Sequence, residues 1–304
     1  MRTLSLIAAV GALAAAAPAP AAKVAGCPLL PRAFPTNQRV DRLPVLPGSD
    51  AIVRSIGLDD HLHPDVGSGT YEGRPIGIPY DVVGKRTRRE RVRFAYADES
   101  DRVRYPIPRG VHIEGGRDAD GDRHALLVDR ATCRLYELFD LQGRPGAWSA
   151  GSGATWNLRS NRVRPAGWTS ADAAGLPILP LLARHQEVRR GRIDHALRVT
   201  VSRSRRAYVY PARHFASNLT DRDLPPMGLR LRLKRGFDIS GFPRQPRVVL
   251  RALKRYGMIV ADNGSDWFIS GAPSKGWDND ELNTLKGVEG SNFEVVDTSR
   301  LPKP

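Results

Sequence analysis

Apolar and polar side chains alternate with a period of two through much of this chain, which is the pattern of strands with one buried face. Residues 91–96 (RVRFAY) alternate in this way. Residues 229–233 (LRLRL) also alternate, and we expect the three leucines to point inward and the two arginines outward. The apolar segments 124–129 and 134–139 are separated by a short polar turn and predict a hairpin.

The same strand patterns continue toward the C-terminus. Segments 195–201 and 206–210 predict a second hairpin. Residues 258–261 (MIVA) are an apolar run typical of a buried strand, and we expect them to pair with 267–270 across a turn of Asp, Asn, Gly and Ser. Residues 293–297 (FEVVD) predict the last strand.

Three segments favour helices instead. Residues 246–256 begin with proline, have several apolar residues and are followed by glycine, which fits the rules for helix starts and stops. Residues 279–285 predict a shorter helix, capped by Asp278 or Asn279, and 51–58 predict another. Strands predominate and no βαβ alternation occurs. We therefore expect a mainly β fold: an antiparallel β-sandwich or jelly-roll-like single domain with one or two short helices near the C-terminus.

The chain divides into three parts by composition. Residues 1–22 have the pattern of a secretory signal peptide, with a positive start, an apolar run, prolines that break it and small residues for cleavage. Residues 23–50 are rich in proline and predict an extended arm, and 51–304 predict a single β-rich domain. We expect a secreted or periplasmic protein with no transmembrane segment, acting as a monomer.

Two cysteines, Cys27 and Cys133, lie in a chain that we expect to be exported. In an oxidising compartment they predict a disulfide bond. Residues 24–27 (VAGC) also fit the motif at which bacterial lipoproteins are lipidated, and a lipid anchor at Cys27 is the alternative. Lys23 and two prolines separate this motif from the apolar run, so the disulfide is favoured.

Basic residues are in excess. The 304 residues give a formal net charge of +15, and residues 85–109 hold nine Lys or Arg against four Asp or Glu. A cationic surface attracts polyanions. For an exported protein, polysaccharide or an anionic cell-envelope polymer is a better partner than nucleic acid. A genome whose codons favour arginine explains the same excess.

Familiar catalytic motifs are absent from the sequence. It has no glycine-rich phosphate loop, no G-x-S-x-G and no H-E-x-x-H. No cofactor is predicted. His61 and His63 are flanked by carboxylates in residues 59–65, and such a group could bind a divalent metal ion. The alternative is a polar loop in which His63 caps backbone groups.

One candidate site uses groups suited to β-elimination from uronate sugars. Arginine neutralises the sugar carboxylate, and tyrosine or histidine moves protons. His195, Tyr208, Arg213 and His214 lie on or just beyond the second predicted hairpin. The alternative is an aromatic core with a basic surface.

A second candidate site uses carboxylates in glycine-rich, turn-like segments. Glycoside hydrolysis needs two carboxyl groups across a sugar, with aromatic side chains beside them for stacking. The candidate carboxylates are Glu114, Asp172, Asp238 and Asp262, and the candidate stacking residues are Trp156, Trp168, Trp267 and Trp277. Each carboxylate alone also fits a turn or helix cap.

Several segments resemble an uncharacterised family of exported bacterial proteins: GWTSADAAGLPILP, RRAYVYPARHFAS, DISGFP, RALKRYGMIVADNGSDWFISGAP and WDND. The resemblance covers most of the chain from Cys27 onward and implies export and a single domain, but no activity. We therefore expect a secreted carbohydrate-active protein that cleaves a polysaccharide, with acidic polysaccharides among the candidate substrates and a glycoside hydrolase favoured slightly over a lyase. A lectin-like or envelope-polymer-binding β-sandwich without catalysis is the alternative, and a metal-dependent hydrolase is a weaker one.

Overall fold

The computed structural model describes residues 22–303. The predicted signal peptide, apart from Ala22, lies outside the described residues, and export stays a prediction. Within the described range, every helix lacks the length or the hydrophobicity that a bilayer-spanning segment needs.

Strands and helices are mostly short. The strands are β1 (Lys23–Val24), β2 (Cys27–Pro28), β3 (His63–Asp65), β4 (Thr70–Tyr71), β5 (Arg74–Pro75), β6 (Tyr80–Val83), β7 (Val92–Phe94), β8 (Ala125–Asp129), β9 (Arg134–Phe139), β10 (Gln142–Arg144), β11 (Ala147–Ala150), β12 (Ser152–Asn157), β13 (Leu197–Val201), β14 (Arg230–Leu233), β15 (Met258–Asn263), β16 (Phe268–Ser270) and β17 (Phe293–Val295). The helices are α1 (Ser49–Ile56), α2 (His185–Arg189), α3 (Arg244–Arg255) and α4 (Asn279–Asn283).

A four-stranded sheet in the order β12–β9–β8–β6 forms the first half of the molecule. β8 and β9 make the predicted hairpin, and β6 joins β8 in parallel at the edge. Successive side chains of β8 point to opposite faces, so Leu126 and Val128 enter one core while Ala125 and Leu127 enter another. Both faces of this sheet are therefore covered.

A three-stranded sheet in the order β10–β11–β7 lies over one of these faces. Trp148 and Ala150 of β11 share a core with Leu127 of β8 and Leu138 of β9. Two sheets that enclose one apolar layer in this way make a β-sandwich.

The second half of the molecule is a six-stranded sheet in the order β17–β14–β15–β13–β16–β3. Helices α1 and α3 pack on it through apolar side chains, among them Ile52 and Val53 of α1 and Val249 and Leu253 of α3. The central strands are buried on both faces, which explains why β15 reads as a continuous apolar run rather than an alternating one.

The prediction of a mainly β fold is confirmed. The sheets are mixed, because the pairs β6–β8, β7–β11, β13–β15 and β3–β16 are parallel. Helices α3 and α4 lie near the C-terminus, and Asp278 caps α4 by accepting a 3.0 Å hydrogen bond from Glu281 N. Helices α1 and α2 lie earlier in the chain.

Two predicted strand pairings are wrong. Residues 206–210 form no strand, only a single bridge between Tyr208 and Met227, and β13 pairs with β15 and β16 instead. β15 and β16 do not pair with each other, because β13 lies between them. Local turn patterns suggested these hairpins. β13 is instead an interior strand of its sheet, and it pairs along both edges with strands that are distant in sequence.

The prediction that the arginines of β14 point to solvent is also wrong. Arg230 and Arg232 are buried, and the N-terminal arm covers them. Arg230 donates a 3.0 Å hydrogen bond to Pro35 O, and Arg232 donates a 2.6 Å hydrogen bond to Val40 O. Backbone carbonyls of the arm accept hydrogen bonds from both guanidinium groups, although the buried Nε of Arg230 has no partner. The side chains of β14 therefore alternate between an apolar core and a polar interior.

The N-terminal arm is tied to the body. The predicted disulfide between Cys27 and Cys133 is confirmed, with a Cα–Cα distance of 5.3 Å. It joins the β1–β2 hairpin to the start of β9. Lipidation at Cys27 would need the sulfur that this bridge occupies. Residue Val45 adds a further link through its bridge to Val296.

Candidate active site

Arg198, Asp172 and Asp262 form a buried ionic group between the two halves of the molecule. Arg198 lies on β13 and donates to both oxygens of Asp172, through Nε and Nη2, at 2.9 Å each. Its Nη2 also donates to Asp262 Oδ2 at 3.1 Å. Two parallel charge-assisted hydrogen bonds fix the plane of a carboxylate. Arg198 therefore holds two of the candidate carboxylates in one place.

A β-bulge directs Asp262 into this group. Val199 of β13 pairs with Val260 of β15, but the next residue, Thr200, pairs with Asp262, so Ala261 is an extra residue. A bulge bends its strand and changes the direction of the side chains that follow. The side chain of Asp262 is 20% exposed and reaches solvent beside the buried pair.

The surroundings of Asp262 favour its protonated form. Burial and the negative charge of Asp172 raise the pKa of Asp262 to about 7, although Arg198 opposes the shift. Two neighbouring carboxylates repel each other when both are ionised. Arg198 donates two hydrogen bonds to Asp172 and one to Asp262, so its compensation of the Asp262 charge is incomplete.

Asp172 is held by a tightly folded loop, residues 167–177. Ser170 Oγ donates to Leu176 O at 2.6 Å, and Ala174 N donates to Ala261 O of β15 at 2.9 Å. Gly175 has a φ of +69°, and a Cβ there would lie 2.5 Å from Trp168 O. Only glycine fits this position. Its internal hydrogen bonds and the glycine turn therefore hold the loop in one conformation.

Glu114 and His124 add a second ionic pair to the cluster. His124 precedes β8; its Nδ1 lies 2.5 Å from Glu114 Oε2, and its Nε2 lies 2.9 Å from Ala171 O. Burial would lower the pKa of His124, but the charge of Glu114 outweighs it and raises the pKa to about 9. Burial would raise the pKa of Glu114, and His124 instead holds it below its usual value. Glu114 is thus an ionised carboxylate.

Asp122 completes the cluster and connects its parts. One carboxylate oxygen of Asp122, one of Glu114 and a ring nitrogen of His124 all lie within 4.8 Å of one another. Burial raises the pKa of Asp122, and the charges of Asp262 and Glu114 contribute in the same direction. We call Glu114, Asp122, His124, Asp172, Arg198 and Asp262 the acid cluster.

Glu114, Asp122 and His124 are also the group in residues 22–303 whose spacing would suit a metal ion. Both ring nitrogens of His124 face oxygen acceptors, and a pKa of about 9 makes the ring an imidazolium that donates at both. An imidazolium has no free lone pair for a metal. The arrangement therefore favours an ion pair over metal binding.

Two clefts border the acid cluster. The smaller, of about 320 Å³, is lined by Asp122, Asp172 and Asp262. The larger, of about 710 Å³, is lined by Glu114 and by Asp65 of β3. Glu114 in the wall of the larger cleft and Asp122 in the wall of the smaller one have carboxylate oxygens within 4.8 Å of each other.

Aromatic side chains line both clefts. Tyr96 is 55% exposed and borders the smaller cleft, and Tyr71 is 71% exposed and borders the larger one. His63 stacks on Phe268 in the wall of the larger cleft, with ring centroids 3.9 Å apart. Exposed aromatic rings are therefore available in the walls of both clefts.

The tryptophans do not fill the stacking role that the sequence predicted for them. Trp156, Trp267 and Trp277 are buried, and each indole N–H has an internal acceptor: Glu137, Gly57 O and Ala272 O respectively. They are core residues, because their large apolar area stabilises the fold most when it is buried. Trp168 is partly exposed, and the guanidinium of Arg164 lies 5.4 Å from its ring centroid. It lines neither cleft.

The four residues predicted for β-elimination are not assembled as a site. His195 is buried, with Nε2 3.2 Å from Glu187 and Nδ1 2.7 Å from Ala196 O, so it belongs to an internal ion network. Tyr208 packs against the core. Arg213 anchors the 167–177 loop through its backbone N, which donates to Ala174 O. Only His214 lines a cleft, the smaller one.

The remaining candidates lie elsewhere. Asp238 is exposed and accepts hydrogen bonds from Ser240 N and Oγ, at 2.9 and 2.8 Å, so it stabilises a turn as the alternative interpretation proposed. His61 is exposed and forms a backbone bridge with Glu289, whereas His63 is half-buried in the larger cleft. Neither histidine belongs to a group of three potential metal ligands among the described residues.

Sequence reasoning missed Asp122, His124 and Arg198. Asp122 lies in the polar stretch before β8, and His124 is the first residue of the segment 124–129 that predicts a strand. Arg198 alone offered a signal, since it is a charged residue inside the apolar segment 195–201. A charge in a strand buried on both faces needs a partner of opposite sign.

Compared with known proteins, the chain matches no protein-family model, no curated protein and no solved structure. The function is therefore argued from the site alone.

Proposed function

We propose that this protein hydrolyses glycosidic bonds in a polysaccharide, with the acid cluster as its catalytic centre. The observation that supports this most directly is the contrast between two carboxyl groups of one cluster. Asp262 has its pKa raised to about 7, and Glu114 has its pKa lowered. Glycosidases need one carboxyl group that keeps its proton and one that stays ionised.

Asp262 is the general acid in this proposal. It donates its proton to the glycosidic oxygen as the bond to the anomeric carbon breaks, so the leaving sugar departs as an alcohol. Glu114 acts on the anomeric carbon, either directly as a nucleophile or by removing a proton from the attacking water. Overall, one water is consumed and its hydroxyl joins the anomeric carbon. Arg198 and His124 are positioning residues: Arg198 holds the Asp172 carboxylate beside Asp262, and His124 keeps Glu114 ionised.

Hydrolysis is better supported than β-elimination. Three of the four carboxylates predicted for hydrolysis lie in the acid cluster, whereas His195 is buried in an internal ion network and Tyr208 packs against the core. Five carboxyl groups, those of the cluster and Asp65, also outnumber the two cations Arg198 and His124. Their net negative charge disfavours a uronate at the point of cleavage, and we propose that a neutral sugar binds there.

The disulfide supports a role outside the cytoplasm. A bridge such as Cys27–Cys133 is typical of proteins that fold in oxidising compartments. Together with the predicted signal peptide, it makes an extracytoplasmic polysaccharide the proposed substrate.

Release of new reducing ends from a panel of neutral and mixed polysaccharides tests this proposal. Wild-type protein should release them, Asp262→Asn should not, and Asp238→Asn is the matched control that should cleave normally. Binding without cleavage would indicate the lectin-like alternative. Activity that a chelator abolishes and zinc restores would indicate a metal-dependent hydrolase instead.

A further inference from the structure

A large cleft lies away from the acid cluster, and basic side chains line it. This cleft, which we call the basic groove, has a volume of about 910 Å³. Its walls are the loop after β6, the segment 107–109, the turn between β8 and β9, and the tip of the β1–β2 hairpin. The basic residues that line it are Lys85, Arg86, Arg88, Arg109 and Arg130, against one acidic residue, Glu90.

Most of these cations have no acidic partner within residues 22–303. Arg88 pairs with the buried Glu90, with Nε 3.0 Å from Oε1, whereas Lys85, Arg86, Arg109 and Arg130 are exposed and form no ion pair. Neighbouring like charges repel one another over about 8 Å at physiological salt. A bound polyanion would relieve this repulsion.

The backbone that carries these residues is well fixed. Thr87 N donates to Gly84 O at 2.9 Å, which closes the turn that contains Lys85 and Arg86, and Arg130 N donates to Val83 O at 3.1 Å. The disulfide lies directly behind the groove, because Ala25 and Ala131 of its lining are each two residues from a bridged cysteine. Preorganised charges lose less conformational entropy when a ligand binds.

We propose that the basic groove binds a carboxylated polysaccharide, and thereby attaches the protein to an anionic polymer while the acid cluster cleaves a neutral sugar. The choice of a polysaccharide rests on the proposed function. The lining of the groove itself argues against nucleic acid, since it contains no aromatic side chain on which bases could stack. Planar guanidinium groups match carboxylates through paired hydrogen bonds.

Calorimetric titration with polygalacturonate, and with dextran as the uncharged comparison, tests this inference. Wild-type protein should bind polygalacturonate at low ionic strength, and this binding should disappear in high salt. Dextran should not bind to the groove. The variant R86Q/R109Q/R130Q should bind polygalacturonate at least about tenfold more weakly. The control R203Q/R222Q/R235Q removes the same charge from exposed arginines elsewhere and should bind within about threefold of wild type.

The outcomes separate this inference from the proposed hydrolysis. Asp262→Asn should bind polygalacturonate as wild type does, and the groove variant should still cleave a short neutral substrate. Equal weakening in both triple variants would show that net charge alone attracts the polymer. Absence of wild-type binding, or tighter binding of single-stranded DNA of equal charge, would also overturn the inference.

Discussion

Arg198 donates two parallel hydrogen bonds, each 2.9 Å long, to the carboxylate of Asp172, and both side chains are buried. The two residues come from different parts of the chain, β13 and the 167–177 loop. Their pairing brings the loop against the six-stranded sheet and leaves Asp262 beside a second negative charge. One ionic contact thus contributes to both stability and the proposed chemistry.

Removing one member of this pair should destabilise the protein strongly. Asp172→Ala leaves the buried guanidinium with Asp262 as its one directly bonded carboxylate, and we expect the free energy of unfolding to fall by about 3–5 kcal/mol. Chemical denaturation monitored by tryptophan fluorescence measures the change. Asp238→Ala, at an exposed turn, is the control and should cost less than about 1 kcal/mol. Equal stabilities would contradict the structural role of the pair.

The pH dependence of activity should report the proton on Asp262. With a pKa of about 7, this group is protonated and competent as an acid below that pH, so kcat/KM should fall as the pH rises through about 7.

Asp172→Asn tests the origin of this shift. It removes the negative charge that helps to raise the pKa of Asp262, so the alkaline limb of the profile should move to lower pH. If the Asp172→Asn protein is folded and the alkaline limb of its kcat/KM profile stays at the wild-type pH, the titrating group is not Asp262.

Stability should also depend on pH through His124. Its folded-state pKa of about 9 lies above the unfolded value of about 6.5, so the folded protein binds the proton more tightly. The stabilisation, on the order of 3 kcal/mol, is fully present below pH of about 6.5 and is lost as the pH rises through about 9. Unfolding free energies measured across this window should fall in the wild type and change less in His124→Gln. Parallel curves for the two proteins would contradict the ion pair with Glu114.

The Cys27–Cys133 bridge should contribute to stability through the long loop that it closes. Because the cysteines are 106 positions apart in the sequence, the chain-entropy model gives about 4–5 kcal/mol as an upper value. Thermal unfolding of C27S/C133S against wild type measures the loss. Because the bridge lies behind the basic groove, the same variant should bind polygalacturonate more weakly if circular dichroism shows it folded. An intact mass that reduction leaves unchanged would show that the bridge does not form.

Local patterns were sufficient for many elements. The period of two identified β7 and β14, and the proline start and glycine stop identified α3 to within two residues at each end. The disulfide followed from two cysteines in a chain with a signal-like N-terminus. These features depend on backbone sterics, capping and redox compartment, all of which act over short stretches or on the whole chain.

The sequence alone determined a β-rich fold, a disulfide and a set of carboxylates that included Glu114, Asp172 and Asp262. Only the tertiary structure decided that these three lie together, that Asp238 does not join them, and that Trp156, Trp267 and Trp277 are core residues. The physical reason is that strand pairing and burial depend on contacts between residues far apart in the chain. A carboxylate in a turn, or an arginine in an apolar strand, has the same local pattern whether it meets a partner or solvent. Its partner, and with it the pKa on which the proposed chemistry depends, is set when the two halves of the molecule pack together.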